Sequence, residues 1–123
     1  MPGQWAVQTA LGGYQSIREL TSPGGRLYQA RQAIIDGVNN SEFMSLCKPN
    51  GSMYAFPAVD TNLIEDFDDQ RFAMELLEKK HVLIAPGSSF NVPYRNHFRL
   101  TTLPTGRKLQ TVFQRMEEVL QTM

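Results

Sequence analysis

Cysteine occurs once, tryptophan once and histidine twice in these 123 residues. The single thiol, Cys47, closes no internal disulfide, and no second cysteine or histidine stands at ligand spacing from it, so neither a covalent staple nor a zinc site is on offer. Cys47 is expected to pack as a small buried hydrophobe. An excess of one charge sign is missing too, since 12 lysines and arginines meet 12 aspartates and glutamates. Such a chain has no field that gathers phosphate backbones or anionic lipids, and no strand pairs aromatic with basic residues, which argues against a nucleic-acid module. No stretch approaches the roughly 18 apolar residues of a membrane span, and the N-terminus lacks the charged, apolar and small-residue zones of a signal peptide. The expectation is a soluble, cytoplasmic chain with neither nucleic acid nor membrane as partner. Repeats and low-complexity tracts are absent as well.

What is present fits one domain, because 41% of the residues are hydrophobic and can bury a modest core. "WAVQTALGGYQSIREL" carries an uneven helical pattern that Gly12 and Gly13 should break. Ser22 and Pro23 then suit the start of a helix whose apolar stripe is Leu27, Ala30, Ile34 and Val38, ending near Asn39 and Asn40. Residues 43–48 and 52–57 alternate around Pro49, Asn50 and Gly51, which predicts an antiparallel hairpin with Pro57 at its end or edge. Asp68 or Asp69 caps a helix bearing Phe72, Ala73, Leu76 and Leu77, and "VLIA" reads as a short buried strand stopped by Pro86 and Gly87. "HFRLTTL" reads as a further strand, and Leu109, Val112, Phe113, Met116, Val119 and Leu120 mark a last helix. The order predicts an α+β fold, with one small, mostly antiparallel sheet of three or four strands packed against helices.

Arg99 is the residue that asks for an explanation, because it stands between Phe98 and Leu100 in an apolar strand. An unpartnered buried guanidinium costs several kcal/mol, so the charge either meets an internal carboxylate or water, or else grips a ligand carboxylate through its planar fork. Both readings stand at this point. "PGSSF", just before it, is a turn that can wall a pocket, without the helix that a phosphate loop requires. Ser45 and Lys48 have the spacing of an acylating serine and its lysine, but an extended run points them to opposite faces. Glu65, Asp66, Asp68 and Asp69 lack calcium-loop spacing and read as a cap with a solvated face. His81 suits a helix end, and His97 has no nucleophile partner in the sequence, so no catalytic residue and no metal ligand is assigned.

"AVQTALGGYQSI", "SPGGRLYQARQ", "CKPNGSMYAFPAVD", "VLIAPGSSFNVP" and "HFRLTTLP", in that order, resemble the C-terminal part of class I pyridoxal-phosphate aminotransferases, above all bacterial alanine (glutamate–pyruvate) aminotransferases. The resemblance implies that residues 1–21 are the tail end of a large domain and 22–123 the small domain. It implies an amino-group exchange between glutamate- or alanine-type amino acids and 2-oxo acids, in a protein that is a homodimer when intact. By the same resemblance Arg99 salt-bridges the substrate α-carboxylate, while Phe90 and Asn91 line the cleft. The cofactor implied is pyridoxal 5'-phosphate, bound mainly by the large domain. None of Lys48, Lys79, Lys80 or Lys108 sits in the family's Schiff-base context, so the chain looks like an excised portion with an artificial Met1, inactive by itself, in which Trp5 and Leu11 lack their packing partner. The alternative reading is a stand-alone, non-catalytic module for small-ligand binding or dimerisation.

Overall fold

The computed structural model describes residues 1–123. Its core is set by apolar spacing on three helices. Helix α3 (Arg26–Asn39) buries Ala30, Ile34 and Val38, four residues apart on one stripe. Helix α4 (Asp69–Lys80) buries Phe72 and Leu76, and α5 (Gly106–Thr122) buries Leu109, Phe113, Met116, Val119 and Leu120. Each fully buried side chain of this size contributes about 1.5–3 kcal/mol of transfer free energy. Asp68 caps α4 by accepting from Gln70 N and Arg71 N, and Thr105 caps α5 by accepting from Lys108 N. His81 ends α4 in the left-handed region at φ 57°, donating its N–H back to Leu77 O, so the expected role at a helix end is met.

The strands are short: β1 (Met44–Ser45), β2 (Tyr54–Ala55), β3 (Ala58–Val59), β4 (Ala85–Pro86) and β5 (Phe98–Thr101). β1 pairs antiparallel with β3, and β5 lies between β2 and β4, antiparallel to both. Tyr54 faces Thr101, Ala55 faces Leu100, and an isolated bridge sets Ala58 against His97 in that same register. Phe98 N donates to Pro57 O and Val59 N to Asn96 O, so residues 54–59 follow 96–101 throughout. Pro57 has no N–H to give and interrupts the ladder in the middle. The α+β expectation therefore holds, with two small antiparallel sheets joined by this shared run.

Several local expectations give way to tertiary structure. The tight hairpin between 43–48 and 52–57 does not form, because Met44 pairs with Val59 while Met53 O accepts from Thr102 N, drawing the second segment onto β5. The positive φ of that turn falls on Ser52, at 62°, and Pro49 O is taken by Arg31 Nε at 2.8 Å. Helix α3 starts at Arg26 behind Gly25 and not at Pro23, since Ser22 Oγ already donates to Glu19 O. A Cβ on Gly25 would stand 2.0 Å from Glu19 O, an approach only glycine allows. "VLIA" buries Val82 and Ile84, but the strand proper is Ala85–Pro86. Cys47 is exposed, because the segment after β1 leaves the sheet. Asp69, expected on a solvated face, is fully buried.

The N-terminal segment makes α1 (Pro2–Gly12) and the short α2 (Ile17–Thr21). α1 ends where the paired glycines predict, and none of its residues is buried. No helix is long and apolar enough to cross a membrane.

Candidate functional site

Alternation along β5 decides where the charge of Arg99 goes. Phe98 and Leu100 point into the core, so Arg99 and Thr101 stand half-buried on the other face of the sheet. The strands either side bring a ring each. Tyr54, on the outward position of β2, holds its ring centroid 4.6 Å from the Arg99 guanidinium carbon. Past β4, the 3-10 turn Gly87–Phe90 places the Phe90 centroid 4.7 Å from the same atom. The positive group is thus flanked by two aromatic π-systems, a contact that stabilises it by about 0.5–2 kcal/mol per ring depending on desolvation.

No carboxylate of the chain meets it. The ion pairs are Arg71–Glu75, Lys79–Glu75, Lys80–Glu118 and Arg95–Asp68. Arg99 Nε is the one buried side-chain nitrogen or oxygen with no hydrogen-bond partner. A polar group left so costs about 1–3 kcal/mol. The internal salt bridge that the sequence left open is thereby excluded. What remains is a fork of N–H donors held between rings and free to receive an acceptor from outside, the arrangement that suits a planar carboxylate.

The turn carrying Phe90 is built for close approach. Gly87 N donates to His97 O at 2.9 Å, and a Cβ on Gly87 would stand 2.7 Å from that oxygen and 3.0 Å from the Phe56 ring. Ser88 N donates to Asp69 Oδ2 at 2.6 Å, tying the turn to the start of α4. Asn91 follows in the left-handed conformation at φ 57°, exposed, and its side chain makes no hydrogen bond within the chain. Of the three residues singled out, Arg99 and Phe90 therefore meet and Asn91 stands apart.

Sequence reasoning missed the surroundings. Phe56 meets Phe90 edge-on with centroids 6.2 Å apart and stacks on His97 at 5.0 Å, and Tyr94 lies 4.2 Å from His97. Desolvation among these rings holds the His97 imidazole below its ordinary pKa, and its Nδ1 pairs with Asn96 Oδ1 at 2.9 Å. The available signal was the outward phase of Tyr54 and Phe56 about the inward Ala55, which shows only once residues 54–59 are registered against β5. An open hollow of about 420 Å³, lined by Leu83, Ala85 and Pro104 among others, runs beside Arg99 and Thr101. Of the chain's lysines, Lys48, Lys79 and Lys108 are exposed and Lys80 is paired with Glu118. No cluster of metal-ligating side chains occurs.

The family model for aminotransferase class I and II matches residues 1–116. Glutamate-pyruvate aminotransferase AlaA of Escherichia coli is 44% identical over 104 residues, which are 85% of this chain and 26% of that protein. Alanine aminotransferase of Mycobacterium tuberculosis is 39% identical over 120 residues, 98% of this chain and 28% of that protein. Among solved structures, an aminotransferase from Escherichia coli superimposes with a TM-score of 0.90 at 39% identity, covering 98% of this chain and 30% of that one. Alanine aminotransferase from Pyrococcus furiosus gives 0.82 at 28% identity, covering 99% and 30%. The chain thus spans less than a third of the length of the relatives it matches.

Proposed function

The chain belongs to the class I and II aminotransferases, and from that premise we propose that it is the small domain through which a transaminase grips the α-carboxylate of its substrates. Residues 22–123 form that domain, and residues 1–21 are the end of the large one. The reaction is the exchange of an amino group between glutamate- or alanine-type amino acids and 2-oxo acids. The substrate reading rests on relatives named for glutamate, pyruvate and alanine. Pyridoxal 5'-phosphate, the electron sink of such chemistry, is held mainly by the large domain, a reading supported by lysines here that are exposed or paired. The isolated chain is accordingly inactive.

One observation carries the proposal: Arg99 is oriented by two rings and has no acceptor of its own. Substrate and product both bring a carboxylate, so one fixed guanidinium serves both halves of the exchange. Its two parallel N–H···O bonds orient the α-carbon, and the Tyr54 and Phe90 rings cover the ion pair from water and strengthen it. Asn91, at the turn's exposed end, lines the entrance.

Kinetics of the full-length protein test this. Loss of a charge-assisted pair is worth about 1.5–3 kcal/mol, so Arg99→Ala should raise KM for the amino acid and the 2-oxo acid roughly 10- to 100-fold, with kcat much less affected. Arg99→Lys should recover little, because an ammonium lacks the planar fork. Unchanged KM values for both substrates would overturn the assignment. Tight carboxylate binding by the 123-residue chain with no activity in the full-length protein would favour the non-catalytic module.

A further inference from the structure

The first turn of α4 presents two adjacent aspartates that do different work. Asp68 is the cap, accepting from Gln70 N at 2.9 Å and Arg71 N at 3.1 Å. Asp69 shares the Gln70 N–H with that cap and is fully buried, though helix-starting aspartates usually lie in water. Its Oδ1 accepts from Gln70 N at 2.9 Å and its Oδ2 from Ser88 N at 2.6 Å. Gln70 Nε2 reinforces the link by donating to Ser88 Oγ at 3.3 Å. A carboxylate buried this completely is costly unless its oxygens are satisfied, and here one of its two donors belongs to the turn that carries Phe90.

The other end of the tether is rigid. One turn beyond Asp69, Phe72 is wholly buried and packs on Phe98 with centroids 5.4 Å apart. Phe98 is the neighbour of Arg99 on β5, so α4, the turn and the guanidinium share one anchored frame. Two residues after Ser88, the Phe90 ring meets Arg99, yet Phe90 is itself 40% exposed and lies outside the buried core, with the edge-on Phe56 ring as its aromatic neighbour.

We propose that Asp69 is a positioning residue for carboxylate recognition: by receiving the Ser88 N–H it fixes the Gly87–Phe90 turn, and with it the Phe90 ring beside the Arg99 guanidinium. The proposal rests on the reading of Arg99 given above. Asp69 touches no substrate and acts only through Phe90.

Two measurements test it. In the 123-residue chain, proton NMR reads the ring-current displacement that the Phe90 ring imposes on the Arg99 side chain, defined by comparison with Phe90→Ala. Asp69→Ala should abolish that component, as Phe90→Ala does. Asp69→Asn keeps the volume and one acceptor oxygen and should lose only part of it, so it provides the readout if the alanine variant does not fold. Retention of the full Phe90 component in a folded Asp69 variant would overturn the proposal. In the full-length protein, Asp69→Asn and Phe90→Ala should each raise substrate KM by about threefold to thirtyfold with kcat little changed, and the double variant should be no worse than Phe90→Ala. Additive effects would mean that Asp69 does not act through Phe90. If Arg99→Ala leaves KM unchanged while the NMR component still depends on Asp69, the functional reading of Arg99 fails and the Asp69–Phe90 coupling stands.

Discussion

Arg99 joins two features that would each be unfavourable alone. Its Nε has no partner, and its charge has no counter-ion within the chain. The rings of Tyr54 and Phe90 offset part of that cost and keep the fork in place. His97, behind these rings, gives this scale its own prediction. Desolvation lowers its pKa from 6.5, so between 6.5 and the lowered value the unfolded chain binds more protons than the folded one. Its contribution to stability is therefore complete above 6.5, declines as pH falls through that window, and levels off below the lowered value. Melting temperatures followed across about pH 8 to pH 5 should fall with acid, and His97→Gln should flatten that part of the curve. An unaltered profile in His97→Gln would remove His97 as the cause. Arg99 was legible in the sequence because a charge between Phe98 and Leu100 breaks an apolar run. Asp69 was not, since its neighbour Asp68 has the same chemistry and only burial separates them.

Among the elements, α3 and α5 make the most extensive helix contact, and it depends on a missing side chain. A Cβ on Gly37 would stand 2.6–2.8 Å from ring atoms of Phe113, itself buried. Gly37→Ala gains helix propensity of roughly 1 kcal/mol, but in a packed contact the overlap costs about 1–3 kcal/mol and should win. Chemical denaturation should show a lower midpoint for this variant. The helices were read better than the strands, because their stripes are local, as with Ala30, Ile34 and Val38 on α3, although α3 begins three residues later than Pro23. The strands were read less well. Asn50 and Gly51 promised a tight hairpin, yet the second segment finds better pairing with residues 96–101, far along the chain. Runs of two to four residues carry little periodicity, and long-range pairing overrides the local turn signal.

At the scale of the molecule, most of the core lies in residues 30–120, while α1 adds nothing to it. Trp5 is 87% exposed, Leu11 78% and Tyr14 71%. Apolar surface of this extent in one segment favours association. Sedimentation velocity should show a concentration-dependent increase in mass, which the double substitution Trp5→Ser and Leu11→Ser should suppress. A strictly monomeric wild-type chain would contradict this.

Trp5 is also the only tryptophan in the chain. Indole emission therefore originates from α1 alone, far redder than a buried ring would give, with no background from the core. Whatever comes to rest on that helix, whether a second copy or a larger polypeptide, will announce itself as a blue shift. Docking at α1 can thus be followed by optical means, without any label, independently of the carboxylate binding proposed for Arg99.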